Sequence, residues 1–210
     1  MDRRARRWWA LGGVLVALLC VAPRAEATVM VEVALEDMVR DSVAIVRGRV
    51  VHVGSQVVMN GDSLDPHTLA TVQVTDWIKG EGGQTLTVRE LGGTYGPNGQ
   101  AGGMWIDGTP RYQVGEEVIV FLERDPNDPH YFRTYAMAQG KFVVTQGVGG
   151  APATVSRDAA SVGFARWLDG RMTIESGGHE VMPLDTFLAT IRGVTQVYAP
   201  GHDDVLGGSR

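Results

Sequence analysis

"QVGEEVIVFLER", residues Gln113 to Arg124, is the stretch on which the reading of this chain turns. In an extended strand Val118, Val120 and Leu122 fall on one side and Ile119, Phe121 and Glu123 on the other. A strand with one wet face alternates apolar with polar. Here both faces are apolar, so the stretch reads as a central strand buried on each side. The chain therefore needs further layers to cover it.

Upstream, Leu35, Met38 and Val39 sit at helical spacing, with Glu36, Asp37, Arg40 and Asp41 opposite. This predicts a short helix over Leu35 to Ser42 lying on the core. "VAIVRGRVVHV" follows as a β-branched strand in which Gly48 marks a bend or bulge. Residues Gly54 to His67 hold Gly, Asn, Asp, Ser and Pro and read as a loop. "TLATVQVTDWI" sets Ala70, Val72, Val74 and Asp76 against Leu69, Thr71, Gln73 and Thr75, a strand with one buried face. After the turn "KGEGG", "QTLTVREL" places Leu86, Val88 and Glu90 on one side and pairs back as a hairpin.

Downstream, "DPNDPH" is a turn, and "YFRTYAM" and "GKFVVT" are the last strands of the unit. "QGVGGAPATVSRD" reads as an exposed connector or a long hairpin, and "ARWLDG" as a helical turn. "MPLDTFLATIRG" has Leu184, Phe187, Leu188 and Ile191 at helical spacing, with Gly193 as the C-terminal cap. The expectation is a mainly β domain over residues 28–198, closed or partly open as a barrel, with one short N-terminal and one C-terminal helix. Residues 199–210 have no periodicity and are expected to be disordered.

The first 27 residues read as a signal peptide: an arginine-rich start, the apolar run "ALGGVLVALLCVA" and the small-residue site "AEA". The apolar run is short of the roughly 20 residues a membrane span needs. Export, to the periplasm or beyond the cell, is expected. The leader takes five arginines and two acids with it. Of the 19 basic and 24 acidic residues, 14 and 22 remain, a net charge near −8. No basic stripe stands out, which argues against nucleic acid as a partner. Cys20, in the leader, is the single cysteine, so the mature chain holds no disulfide and no thiolate site.

The order of these pieces resembles a known family. "SVAIVRGRVVHV", "VQVTDWIKG", "LTV" and "YQVGEEVIVFLE" are similar to the netrin-like domains. Those share a barrel of the oligonucleotide/oligosaccharide-binding (OB) type with the tissue inhibitors of metalloproteinases. The likeness runs from about Leu35 to Thr145, and it is nearer to uncharacterised exported bacterial proteins with "VLKG" and "GEEVVLFL" segments. It implies a small barrel and no catalytic group. The disulfides that pin netrin-like domains have no counterpart here.

Chemistry-bearing motifs are sparse. His52, His67, His130, His179 and His202 are scattered, with no pair at metal-ligand spacing. Ser55, Ser63, Ser156, Ser161 and Ser176 fall in expected loops, without the elbow motif of a nucleophile. "DPNDPH" offers oxygen ligands but lacks the order of a calcium loop. No cofactor or metal is indicated. The most distinctive stretch is Gly92 to Gly108, where seven of 17 residues are glycine. Either its backbone passes close to its own domain, or it presents Tyr95 and Trp105 to a partner. With Tyr112, these are the candidate partner-binding residues. The expected function is a non-enzymatic module that binds a protein or glycan in the cell envelope or secretome. The alternatives are an inhibitor or accessory protein of a secreted metalloprotease, and a hydrolase whose site assembles only in space.

Overall fold

The computed structural model describes residues 28–61, 63–96, 102–160 and 162–198. The expected leader, the expected disordered tail and part of the Gly-rich loop lie outside the described residues.

Among the described residues, thirteen strands and two α-helices follow in the order β1 (Val29–Val31), α1 (Leu35–Asp41), β2 (Ala44–Asn60), β3 (Ser63–Lys79), β4 (Thr85–Leu91), β5 (Gly93–Tyr95), β6 (Gly102–Met104), β7 (Glu117–Arg124), β8 (Phe132–Thr134), β9 (Lys141–Thr145), β10 (Thr154–Asp158), β11 (Gly163–Leu168), β12 (Arg171–Ser176), β13 (His179–Pro183) and α2 (Leu184–Val197). The main sheet runs β13-β10-β9-β7-β2-β3-β4-β8, and β8 pairs again with β7. Five strands thereby curl into a ring. β1, β11 and β12 form a second sheet, and β5 with β6 a third.

β7 is the central strand its sequence predicts. Val118, Val120 and Leu122 point into the ring, where they meet Val46, Val50, Val72 and Val88. Ile119 and Phe121 point outward to Met38, Phe142, Phe187 and Ile191, which belong to α1, β9 and α2. All five β7 side chains from Val118 to Leu122 are fully buried. Each such side chain is worth roughly 1.5–3 kcal/mol relative to exposure. The outer layer is keyed by three rings: Phe121 lies 5.8 Å from Phe142 and 6.4 Å from Phe187, and the latter two are 4.6 Å apart.

The helix α1 ends where Lys79 reaches it. The Lys79 Nζ donates to the carbonyls of Val39, Arg40 and Ser42 at 2.7, 2.8 and 2.6 Å. A cation on the last carbonyls of a helix satisfies orphan acceptors and opposes the helix dipole. The Lys-Gly turn is thus a fastening between helix and hairpin. Gly48 sits at a register shift in β2, as its position predicts. A Cβ there would stand 2.4 Å from the Gln73 carbonyl oxygen, so no side chain fits.

Five expectations need correction. "GKFVVT" is not the last strand of the unit: β10 and β13 extend the same sheet beyond β9. Gly54 to His67 is not a loop: β2 and β3 pair out to Asn60 and Ser63, with the turn at the tip. "ARWLDG" is not a helical turn but lies on β11 and the turn after it, because β11 pairs with β1 on one side and β12 on the other. Gly193 does not cap α2, which continues to Val197. Ser55, Ser63, Ser156 and Ser176 stand on strands. The open choice at "QGVGGAPATVSRD" resolves to a long hairpin, with Thr145 opposite Thr154. The apolar stripe of α2 is as expected: Leu184, Phe187, Leu188 and Ile191 are its buried residues.

Candidate functional site: a cleft at the mouth of the ring

β2 and β3 are each 17 residues long, far longer than their partners β4 and β7. Their outer halves run past the ring and leave its interior face open. β5 is laid over that face. Ser55 Oγ and Thr94 Oγ1 are 3.1 Å apart, Thr94 N–H donates to Ser55 Oγ at 3.3 Å, and Thr68 Oγ1 donates to the Gly92 carbonyl at 2.8 Å. Between this lid and the segment from Trp105 to Gln113 lies an open cleft of about 690 Å³.

All three candidate residues line it. Trp105 is 62 % exposed. Tyr95 is half-buried, and its ring lies across its strand partner Gly102: a Cβ on that glycine would stand 2.5 Å from the phenol oxygen. Here the glycine-rich composition reflects close packing, and the packing orients an aromatic. Tyr112 is different. It is buried, belongs to the ring's inner core, and its hydroxyl meets Thr134 Oγ1 at 2.6 Å. It forms the floor of the cleft.

Beneath that floor is a buried polar chain. Thr134 donates its N–H and its hydroxyl to Glu90 Oε1 at 2.9 and 2.5 Å. The threonine hydroxyl is spent on the carboxylate, so the Tyr112 hydroxyl is the donor to Thr134. Burial lifts the Glu90 carboxyl to about 7, although the Thr134 bonds pull the other way. Burial also raises the Tyr112 phenol, and it lowers Lys141. Lys141 Nζ lies 4.9 Å from the Tyr112 ring centre, bonds Glu116 at 2.7 Å and donates to the Arg111 carbonyl. These contacts pin the cleft wall to the body.

The electrostatics are one-sided. Among the described residues lining the cleft, Arg111 is the one charged residue. Its guanidinium carbon lies 5.3 Å from the Trp105 ring centre.

A second cavity, of about 720 Å³, shares the wall from Ile106 to Gln113 and holds Lys141, Ser156, Asp158 and His179. Asp158 and His179 are strand partners, with Ser156 two residues away on β10. Among the described residues no hydrogen bond joins the three, and Asp158 is engaged by the Ala160 N–H. The turn acids that offered themselves for calcium are also engaged. Asp125 pairs with Arg89 at 2.7 Å and accepts from the N–H groups of Asn127 and Asp128. His52 is exposed on β2, and no group of three metal-ligating side chains is assembled among the described residues. No described helix is long and apolar enough to cross a membrane.

Sequence reasoning missed Arg111, Glu90 and Lys141 as parts of this site. The signal for Lys141 was present: it is one of two lysines outside the leader, set beside a glycine at the head of an apolar strand. Compared with known proteins, the chain matches no family profile, no curated protein and no solved structure.

Proposed function

We propose that this chain is an exported, non-enzymatic binding protein and that the cleft at the mouth of the ring seats its protein or glycan partner. One observation carries the reading: Tyr95 and Trp105 of the Gly-rich stretch and Tyr112 just beyond it line a single cleft of about 690 Å³. That volume lies within the roughly 300–1,000 Å³ of ligand sites, which favour the mouths of closed sheets. Aromatic faces with a polar edge are the side chains most often found at the energetic centre of an interface. Export rests on the leader-like N-terminus.

The fold we propose is the OB-type barrel of netrin-like domains. Its support is a ring of five strands with one weak seam, Val88 opposite Phe132, and a Lys-Gly turn that fastens the N-terminal helix.

The test is Trp105→Ala, with pull-downs from the native secretome and thermal melts run side by side. Partner capture falls by about 2 kcal/mol or more, while the melting temperature stays within about 2 °C of the parent. A large drop in melting temperature with capture lost in proportion would return Trp105 to a packing role.

A further inference from the structure

We propose that the ligand of this cleft is a short oligosaccharide bearing a carboxylate, held through Arg111 and stacked on Trp105. The proposal rests on the reading of the cleft as a binding site and names the chemistry of its occupant.

Arg111 is the first ground. Eight arginines of the described chain lie within 4.0 Å of a carboxylate, Arg47 with Glu117 and Arg89 with Asp125 among them. That is the expected fate of a guanidinium in an acidic protein. Arg111 has no ion pair among the described residues, although its own carbonyl is fastened by Lys141. Arg124 and Arg171 are likewise outside any ion pair among the described residues; Arg111 differs in lining the cleft, where its guanidinium lies over an indole. Stacking on an aromatic orders a guanidinium without using its N–H groups.

The second ground is the sign and size of the charge. The described lining of this cleft contains no Asp or Glu and no second cation, and the acids of the neighbouring cavity that Arg111 also lines, Asp107, Glu116 and Asp158, form no ion pair with it. One guanidinium answers one carboxylate in bidentate geometry. A phosphate dianion is better served where several cations or N–H groups converge.

The third ground is the remainder of the wall. Thr109, Gln113 and the Ser55–Thr94 hydroxyl pair supply side-chain donors and acceptors around the two aromatic residues. A sugar ring offers hydroxyls at its rim and C–H groups on its face. The C–H groups suit the electron-rich face of an indole or phenol. A peptide added as a strand would use the backbone edge of β2 beyond Arg49, where among the described residues β7 no longer pairs with it, and would owe nothing to Arg111 or Trp105.

Calorimetry and tryptophan fluorescence on the purified protein test this with four probes: a trigalacturonate, its fully methyl-esterified form, a sulfated disaccharide, and an acetylated tripeptide with a free C-terminal carboxylate. The trigalacturonate binds, and the ester binds about tenfold more weakly or not at all. Arg111→Gln and Arg111→Lys each weaken the acid about tenfold and leave the ester unchanged, since lysine cannot form the fork. Both variants keep the parent's melting curve.

Equal affinity for acid and ester overturns the carboxylate, as does full binding by Arg111→Gln. Preference for the tripeptide or the sulfated sugar replaces the proposed class with that one. Absence of binding by the trigalacturonate at millimolar concentration also overturns the proposal. In these cases the cleft reading survives if Trp105→Ala still abolishes capture of the native partner. If that capture is indifferent to Trp105→Ala, the cleft reading falls with it.

Discussion

The β2–β3 hairpin has two halves that do different work. The inner half, Ala44 to Val50 with Val72 to Lys79, is bonded by β7 along β2, while β4 runs beside Thr68 to Gln73 and bridges the two halves; Val46, Val50 and Val72 of the inner half are fully buried. The outer half, Val51 to Asn60 with Ser63 to Thr71, keeps the same ladder but carries exposed Val51, Val57, Met59 and Leu64. The inner half builds a core, and the outer half builds the wall of a cleft. Where a core exists, side chains are fixed by packing from both faces. Where the strands outrun it, one face becomes free to meet a ligand.

The largest break in that contrast should come from Phe121, which stands opposite Ile45 on the inner half and anchors the trio of rings beneath α2. Phe121→Ala costs about 3–5 kcal/mol, the usual range for deleting a fully buried ring. Chemical denaturation measures it. A loss below about 1 kcal/mol would mean the helical layer closes over the gap and the inner half is not core in the sense argued here.

The same contrast explains what the sequence disclosed. On β7, on Leu35 to Asp41 and on Leu184 to Ile191, burial imposes a period, and a period is legible. Between Gly54 and His67 only Pro66 and His67 are buried among the described residues, so no period shows there, and the polar and turn-forming residues masked a strand. "ARWLDG" failed in a related way. Trp167 is 74 % exposed and Phe164 is buried, so the aromatic residues gave no consistent face to read. The aromatic part of the cleft was legible because Tyr95 and Trp105 are large side chains in a stretch that otherwise lacks them. Arg111 and Glu90 were not, since their roles come from neighbours that no period links to them: Lys141 and, across a turn, Trp105 for one, Thr134 and through it Tyr112 for the other.

A smaller effect marks the seam between the halves. Glu90 lies opposite Thr68, at the start of the outer half, yet its carboxyl is buried in the ring wall. Its folded-state value of about 7 stands above the ordinary 4.5. Between those values the folded protein holds a proton that the unfolded chain has released. Stability therefore falls as pH rises through that window, and the full cost is present above it. The cost is on the order of 3 kcal/mol. Buried His67 works in the opposite sense: burial lowers its value, so it costs stability as pH falls below its ordinary 6.5. That contribution is shared by the parent and a Glu90→Gln variant, and it cancels in their difference. The amide still accepts from Thr134 but does not ionise. Urea unfolding at pH 5 and pH 8 should show the parent losing more stability than the variant over the interval. Parallel losses would place the Glu90 carboxyl in a wetter site than its contacts imply.

The smallest stability effect sharpens the contrast most. Val57 and Met59 are two residues apart on β2, on the same side of the strand, with Pro66 and Leu64 opposite them. Val57 is 38 % exposed and Met59 65 % exposed, so neither holds the fold together. Val57 lines the cleft and Met59 is not part of its wall. Val57→Thr keeps the branched shape and the strand preference while replacing a methyl group with a hydroxyl. Met59→Thr removes a longer apolar chain from a position nearer the tip. Both variants should stay within about 0.5 kcal/mol of the parent, as surface substitutions usually do. Capture of the partner should separate them: Val57→Thr weakens it, and Met59→Thr leaves it alone. If Met59→Thr is the one that loses capture, recognition belongs to the hairpin tip and the cleft is only the seam beneath it. If both lose stability by more than about 1 kcal/mol, the outer half is packed after all, and the division between a core-building and a site-building half fails at its second term.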